Sequence, residues 1–203
     1  MKKTPIEVFS DWVENGKDLG MESGHSKSVN NMVDYATKDQ ENFSFIDAGC
    51  GNGWVVRNIS KSSKCSSAIG IDGSLKMITK AKKLDAFNNY VCEDLNSWVP
   101  KNKVDIVHSM EVFYYFERPD KLISYIYSNW LKDNGRLIIG IDFYFENTIS
   151  HSWPDECGVT IMKLFTEKEW IQFFTQAGFK KITSWRFGKK KGWTGTLIIT
   201  GIK

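Results

Sequence analysis

Three glycines at alternate positions, Gly49, Gly51 and Gly53, follow an apolar run that ends in Asp47, and a helix-like segment follows them (FIDAGCGNGWVVR, residues 45–57). Glycine lets the chain turn tightly and lets a ligand approach the backbone without a Cβ in the way, and a helix N-terminus offers unpaired N–H groups. That combination makes a nucleotide-type site. A second apolar run, SAIGID, ends in Asp72, about twenty residues past the glycines, where a carboxylate can accept both hydroxyls of a ribose. After a third run comes Glu93-Asp94-Leu95, where a carboxylate can take the amino group of adenine while an apolar neighbour packs on the ring. The fourth, VDIVHS, brings the backbone at Ser109 toward a reacting centre. The glycine spacing is G-x-G-x-G rather than the G-x-G-x-x-G of dinucleotide sites, which ranks a nicotinamide cofactor lower and leaves an NAD-dependent enzyme as a third option.

Those residues need a frame. From residue 43 onward, short apolar runs alternate with longer amphipathic stretches, the pattern of a parallel sheet with crossover helices. Strands are predicted over 43–48, 67–72, 89–92, 103–110 and 136–143, with helices over 53–60, 74–84 and 118–131 between them. Ser74 serves as an N-cap and Pro119 lies in a first turn. Thr166 to Gly178 reads as a helix with a capping box closed by Glu169, and two strands, 180–187 and 194–202, form an antiparallel hairpin around GKKKGW. Residues 6–37 give two weakly helical stretches around a polar, glycine-containing break at 20–28. The whole is one domain, a helical cap over residues 1–42 on a core over 43–203. The four open sites all fall at the carboxyl ends of successive strands, so they converge on one crevice.

At this point the sequence resembles the class I S-adenosylmethionine-dependent methyltransferases over about residues 43–202. DAGCGNG is similar to that family's first motif, GID to the acidic end of its second strand, CEDL to its adenine loop, VDIVHSMEVFYYFERP to its fourth motif and LKDNGRLIIGID to its Gly turn and fifth strand. The resemblance implies an α/β fold: a three-layer αβα sandwich with seven strands in the order 3-2-1-4-5-7-6, the seventh antiparallel. It implies S-adenosylmethionine as cofactor and S-adenosylhomocysteine as product. In residue terms it implies that Gly49, Gly51 and Asp47 line the methionine moiety, that Asp72 binds ribose, that Asp94 and Leu95 hold adenine and that Ser109 lies under the sulfonium. Asp47 either accepts the ammonium, directly or through water, or fixes the loop.

A cofactor that carries an activated methyl group leaves the protein to orient the acceptor, exclude water and remove any acceptor proton, so a base is optional. The base candidates are His25, Tyr115, Glu146 and His151, all titratable and close to loops. His25 can equally cover the cofactor carboxylate or be a surface histidine, and His108, inside a strand, reads as a packed one. Two aromatic clusters, Phe113 to Phe116 and Phe143 to Phe145, are expected to approach the crevice, with Tyr115 or Tyr144 in an acceptor pocket. Residues 146–165 form a lid over it.

The 203 residues carry 27 basic and 24 acidic side chains, a net charge of +3, with 41% hydrophobic and 25% charged residues, which places the chain among folded globular proteins. The longest apolar stretch, 137–145, is too short to span a bilayer, and the N-terminus has no apolar leader, so a cytoplasmic protein is expected. Cys50, Cys65, Cys92 and Cys157 are far apart and near no histidine, which predicts buried, reduced thiols and no metal site. The acceptor is expected to be a small molecule: no NPPY-like sequence follows the fourth strand, and no strongly basic face is visible. Lys189 to Lys191 with Trp185 and Trp193 keep a tRNA or protein substrate as the alternative. A non-catalytic cofactor-binding module is the alternative of another class.

Overall fold

The computed structural model describes residues 2–203. Seven strands, β1 (Phe43–Ala48), β2 (Cys65–Asp72), β3 (Asn89–Cys92), β4 (Val104–Met110), β5 (Leu131–Ile141), β6 (Lys180–Phe187) and β7 (Thr196–Ile202), form one sheet in the order β3-β2-β1-β4-β5-β7-β6. The first five are parallel, and β7 runs antiparallel between β5 and β6. This is the expected fold class.

Both faces of the central strands are buried, as parallel sheets require. On one face Phe43, Phe45, Ile106, Ile138 and Ile198 pack under α2 (Gly20–Thr37), α3 (Trp54–Ile59) and α4 (Leu75–Leu84). On the other, Ile46, Val107, Leu137, Ile139 and Ile199 meet α5 (Pro119–Asn129) and α7 (Glu167–Ala177), which contribute Leu122, Ile126, Trp170 and Phe174. The alternation of these side chains along each strand is the period of two that separates the layers.

Local chemistry sets the helix ends. Thr166 and Glu169 form the expected capping box of α7, and Gly178 ends it in the left-handed region at φ 99°. Ser74 caps α4 by accepting from the Met77 N–H at 3.3 Å. A second capping box, Thr4 with Glu7, starts α1 (Pro5–Glu14).

Several boundaries differ from the sequence reading: β2 starts two residues early, at Cys65, β5 ends two residues early, at Ile141, and α5 ends at Asn129 instead of 131. The break near the N-terminus lies at Asn15–Leu19, where Gly16 turns the chain at φ 69°, and residues 20–28 are helical. α2 holds because Met21, His25, Val29, Met32 and Ala36 recur on one face, the last three fully buried on the sheet. β5 starts at Leu131 instead of Arg136: Val104 pairs with Leu131 and Ile106 with Arg136, so residues 132–135 bulge out, with Asn134 at φ 63°. β7 starts at Thr196, two residues later than expected.

Candidate active site

At the carboxyl ends of β3, β2, β1 and β4 lies a cavity of ≈ 480 Å³. Its floor comes from these strand ends and its roof from α1, which contributes Ile6, Phe9 and Trp12, and from a segment around α6 (Trp153–Glu156). The two roof pieces are stitched together: the Lys3 N–H donates to the Gly158 carbonyl at 2.9 Å, the Thr160 N–H donates to the Lys3 carbonyl at 2.8 Å, and the Lys2 ammonium meets Asp155 at 2.8 Å. Ser10 and Ser74 hydroxyls, 2.8 Å apart, tie α1 down to the start of α4.

The glycine loop turns through left-handed backbone at all three positions, φ 79°, 53° and 79°. A Cβ on Gly49 would collide with Val112 and one on Gly53 with the Tyr90 ring, so these positions need glycine for space as well as for dihedral freedom. The loop's amides are not bare, contrary to the sequence reading. Those of Gly49 and Cys50 donate to the Ile71 carbonyl, that of Gly53 to Cys50, and that of Gly51 to Asp72 Oδ2 at 2.9 Å. What the loop offers the cavity is the open surface of Gly49 and Gly51 together with two carboxylates.

Of those, Asp47 is buried, and its Oδ1 lies 2.7 Å from His108 Nδ1, a strand-to-strand pair that fixes the carboxylate. His108 is thus a packed histidine that orients Asp47. Asp72 holds the loop with one oxygen and the Ser74 N–H with the other, at 2.8 Å; burial, and secondarily Asp47, push its carboxyl up, while the two amide bonds oppose the rise. Asp94 and Leu95 line the cavity beyond β3, Leu95 buried and Asp94 exposed, with Asp94 Oδ1 accepting from the Asn96 N–H at 2.9 Å.

Ser109 is not among the lining residues. Its hydroxyl donates to the Ala48 carbonyl at 2.6 Å, locking β4 to β1, and the wall at that level is Met110, Glu111 and Val112. Of the base candidates, His25 and Tyr115 line the cavity. His25 Nδ1 lies 3.8 Å from Asp142 Oδ2, and burial lowers its pKa. Glu146 and His151 point elsewhere. Glu146 accepts from the Glu167 N–H at the start of α7, and His151 is exposed, with Nε2 3.0 Å from the Phe145 carbonyl. The second aromatic cluster also misses the crevice: Phe143 and Tyr144 are core residues, the Tyr144 hydroxyl donates to the Gly195 carbonyl at 2.9 Å, and Phe145 faces solvent. Of the lid, only Trp153, Glu156 and Cys157 reach the cavity. Cys50 is the one fully buried cysteine; Cys65, Cys92 and Cys157 are half-buried.

Sequence reasoning missed Glu111. It follows β4 in a left-handed conformation at φ 60°, which is uncommon for a side chain of this size. Tyr114 donates to its Oε2 at 2.6 Å, and the Asp142 N–H donates to its other oxygen. Burial, together with the Asp142 charge, holds its carboxyl well above the usual range. Asp142 itself is pushed up to about 6 by burial. The residue type and the spacing give no sign of the backbone turn that aims Glu111 inward.

The family profile described as "Methyltransferase domain" matches residues 25–184. The chain belongs to this methyltransferase family. Chains of the same fold have been solved with S-adenosylmethionine or its demethylated product, S-adenosylhomocysteine, bound. Two malonyl-[acyl-carrier protein] O-methyltransferases are related in sequence. The one from Halalkalibacterium halodurans is 30% identical over 111 residues, covering 50% of this chain and 41% of that protein. The one from Ilyobacter polytropus is 29% identical over 152 residues, covering 71% and 55%. The chain therefore spans about half the length of the curated relatives it matches. Among solved structures, a chain of the complex between the Haloferax volcanii Trm112 methyltransferase activator and a methyltransferase superposes with a TM-score of 0.81 at 23% identity, over 96% of each chain.

The residues present fit the cofactor of this family. A crevice floored by glycine surfaces and carboxylates suits a ligand with a cationic amino acid end and a ribose, and Leu95 gives an apolar wall for a base. None of the helices among the described residues is long and apolar enough to cross a membrane.

Proposed function

We propose that this methyltransferase acts on a small molecule enclosed in the cavity, as one domain in which residues 1–42 cap a core over 43–203. In this reading Asp72 takes the ribose hydroxyls, Asp94 and Leu95 hold adenine, and Asp47, Gly49 and Gly51 line the methionine end. S-adenosylmethionine supplies a methyl group already activated on sulfonium sulfur, for in-line displacement by the acceptor. The protein's part is orientation and the exclusion of water. Strand order carries the geometry: the ribose residue ends β2 and the adenine residues follow β3, so the acceptor lobe falls at β4, under Phe9, Trp12 and Trp153.

The observation that carries the reading is that one roofed cavity runs continuously from Asp94 to Tyr115. A roofed cavity of that size, open to solvent at its rim, admits a metabolite or a side chain, and no lysine or arginine among the described residues lines it. That charge pattern argues against a malonyl carboxylate, the group that the curated relatives' names point to. It also argues against a nucleic-acid acceptor, as does the engagement of the two tryptophans near the lysine-rich hairpin tip: Trp185 donates to Asn31 at 2.8 Å, and Trp193 stacks on Trp153. Incubation with methyl-labelled S-adenosylmethionine and a fractionated metabolite extract, with product identified by mass spectrometry, tests the proposal. A labelled small molecule is expected. Label only in tRNA or protein, or tight cofactor binding with no transfer, would refute it.

A further inference from the structure

Once the cofactor roles are assigned, three of the cavity's carboxylates, Glu93, Glu111 and Glu156, have no partner in the reaction; Glu93 is exposed beside Asp94 at the adenine end. Glu156 lies at the solvent-exposed rim, whereas Glu111 faces the acceptor lobe. Around that lobe the rings form a connected wall: Phe9 lies edge-on to Trp12 at 5.1 Å and to Tyr115 at 5.2 Å, and Tyr115 packs on Tyr114 at 4.5 Å. We infer that the acceptor is a basic amine, its nitrogen on the Glu111 carboxylate and its body against Phe9, Trp12 and Tyr115. This deepens the methyl-transfer reading proposed above and rests on it.

Charge makes the choice. Six carboxylates line the cavity, no lysine or arginine among the described residues does, and burial keeps His25 toward its neutral form. An anionic acceptor would be desolvated beside Glu111 with no counter-charge, a costly arrangement. An ammonium gains from both the carboxylate and the electron-rich ring faces. Glu111 is also held ready: Tyr114 and the Asp142 backbone pin its two oxygens, each of which keeps a lone pair for a ligand.

The same carboxylate can ready the nucleophile. An entering ammonium pairs with ionised Glu111 and passes it one proton, leaving a neutral amine with a free lone pair. The lone pair forms the N–C bond while the C–S bond breaks and its electron pair stays on sulfur. The products are a methylated ammonium, a neutral thioether and protonated Glu111, which then releases its proton to water. The elevated pKa of Glu111, caused by burial and by Asp142, suits a group that must hold that proton.

The test uses the whole chain and labelled S-adenosylmethionine with a metabolite extract split into cationic, neutral and anionic fractions. Label is expected in the cationic fraction and should survive alkali, as an N-methyl group does. Label in an alkali-labile ester of the anionic fraction, or in the neutral fraction, overturns the amine assignment and leaves methyl transfer standing. Failure to bind S-adenosylhomocysteine, or absence of label from every fraction, overturns methyl transfer and the amine with it. Glu111→Gln keeps the shape and should lower transfer to the cationic fraction about 10- to 150-fold, the effect of one lost charged hydrogen bond. Its S-adenosylhomocysteine affinity should stay unchanged, which also checks its fold. A second readout does not depend on that variant. On protein saturated with S-adenosylhomocysteine, 2-phenylethylamine should bind more tightly than 3-phenylpropanoate, and Trp12→Ala should narrow the gap. Equal affinity, or the reverse order, contradicts the inference.

Discussion

The Asp72 carboxylate has two tasks, and replacing it with asparagine separates them. One oxygen accepts the Gly51 N–H at 2.9 Å and the other the Ser74 N–H at 2.8 Å, so the side chain ties the glycine loop to the start of α4. Asparagine keeps one acceptor and turns the other into an NH₂ that opposes an amide donor. That loses one loop bond, but it also removes a charge whose burial already raises the carboxyl pKa. The two effects are opposite in sign, so folding stability should change by only about 1 kcal/mol. Cofactor affinity has no such compensation. A ribose hydroxyl donating to a charged acceptor contributes about 1.5–3 kcal/mol, so Asp72→Asn should weaken S-adenosylhomocysteine binding about 10- to 150-fold. Asp72→Ala, which frees both amides, should weaken it at least as much. Titration calorimetry at neutral pH, with a thermal melt to confirm folding, measures both. If both variants fold and bind within twofold of the parent, Asp72 does not hold the ribose.

Three further outcomes follow from the same geometry. Asp142 is held near 6 in the fold against about 4 unfolded, so the native state binds more protons across that window and burial of its charge costs stability as pH rises through it. Denaturant melts at about pH 4 and pH 7 should therefore show Asp142→Asn gaining about 2 kcal/mol relative to the parent between the two; a constant difference refutes the shift. Gly49→Ala places a methyl group on Val112 in left-handed backbone and should abolish measurable S-adenosylhomocysteine binding by calorimetry, whereas Gly16→Ala, in open space at similar φ, should leave affinity unchanged while lowering stability by about 1 kcal/mol. Thr166→Ala removes the hydroxyl that accepts the Glu169 N–H in the α7 capping box, keeps the backbone N–H that donates to the Glu169 carboxylate, and should cost about 1 kcal/mol in urea titration. An unchanged midpoint would mean that water replaces the cap.

The sheet was legible because its signal is local. FSFIDA has apolar side chains for both faces, NYVC and KKITSWRF end at turn residues, and each became a strand with the expected bounds. The capping box at Thr166 and the stop at Gly178 were equally readable, since they are single-residue chemistry. The cap was not. α2 places Met21 and His25 on the cavity through a stripe so thin that its polar remainder reads as a break, and only the sheet beneath makes it a helix. Spacing was enough to bring Gly49, Gly51, Asp72, Asp94 and Leu95 to one cavity, but not to give the direction in which side chains point beyond a strand end. Tight turns at Phe113–Tyr115 and Thr148–Ser150 decide that Tyr115 faces the cavity and that His151 does not, and a left-handed Glu111 precedes the first of them. The first of these turns packs on α1 through Phe9 and Tyr115, whose rings lie 5.2 Å apart although the residues are far apart in sequence.

A crystal structure of the complex with S-adenosylhomocysteine tests the account most directly. The account predicts the ribose on Asp72, adenine beside Asp94 and Leu95, and the sulfur directed toward Glu111 and Tyr115, with the aromatic lobe beyond it open to an acceptor. Ligand density with the ribose away from Asp72, or with the sulfur turned from the β4 lobe, would contradict it.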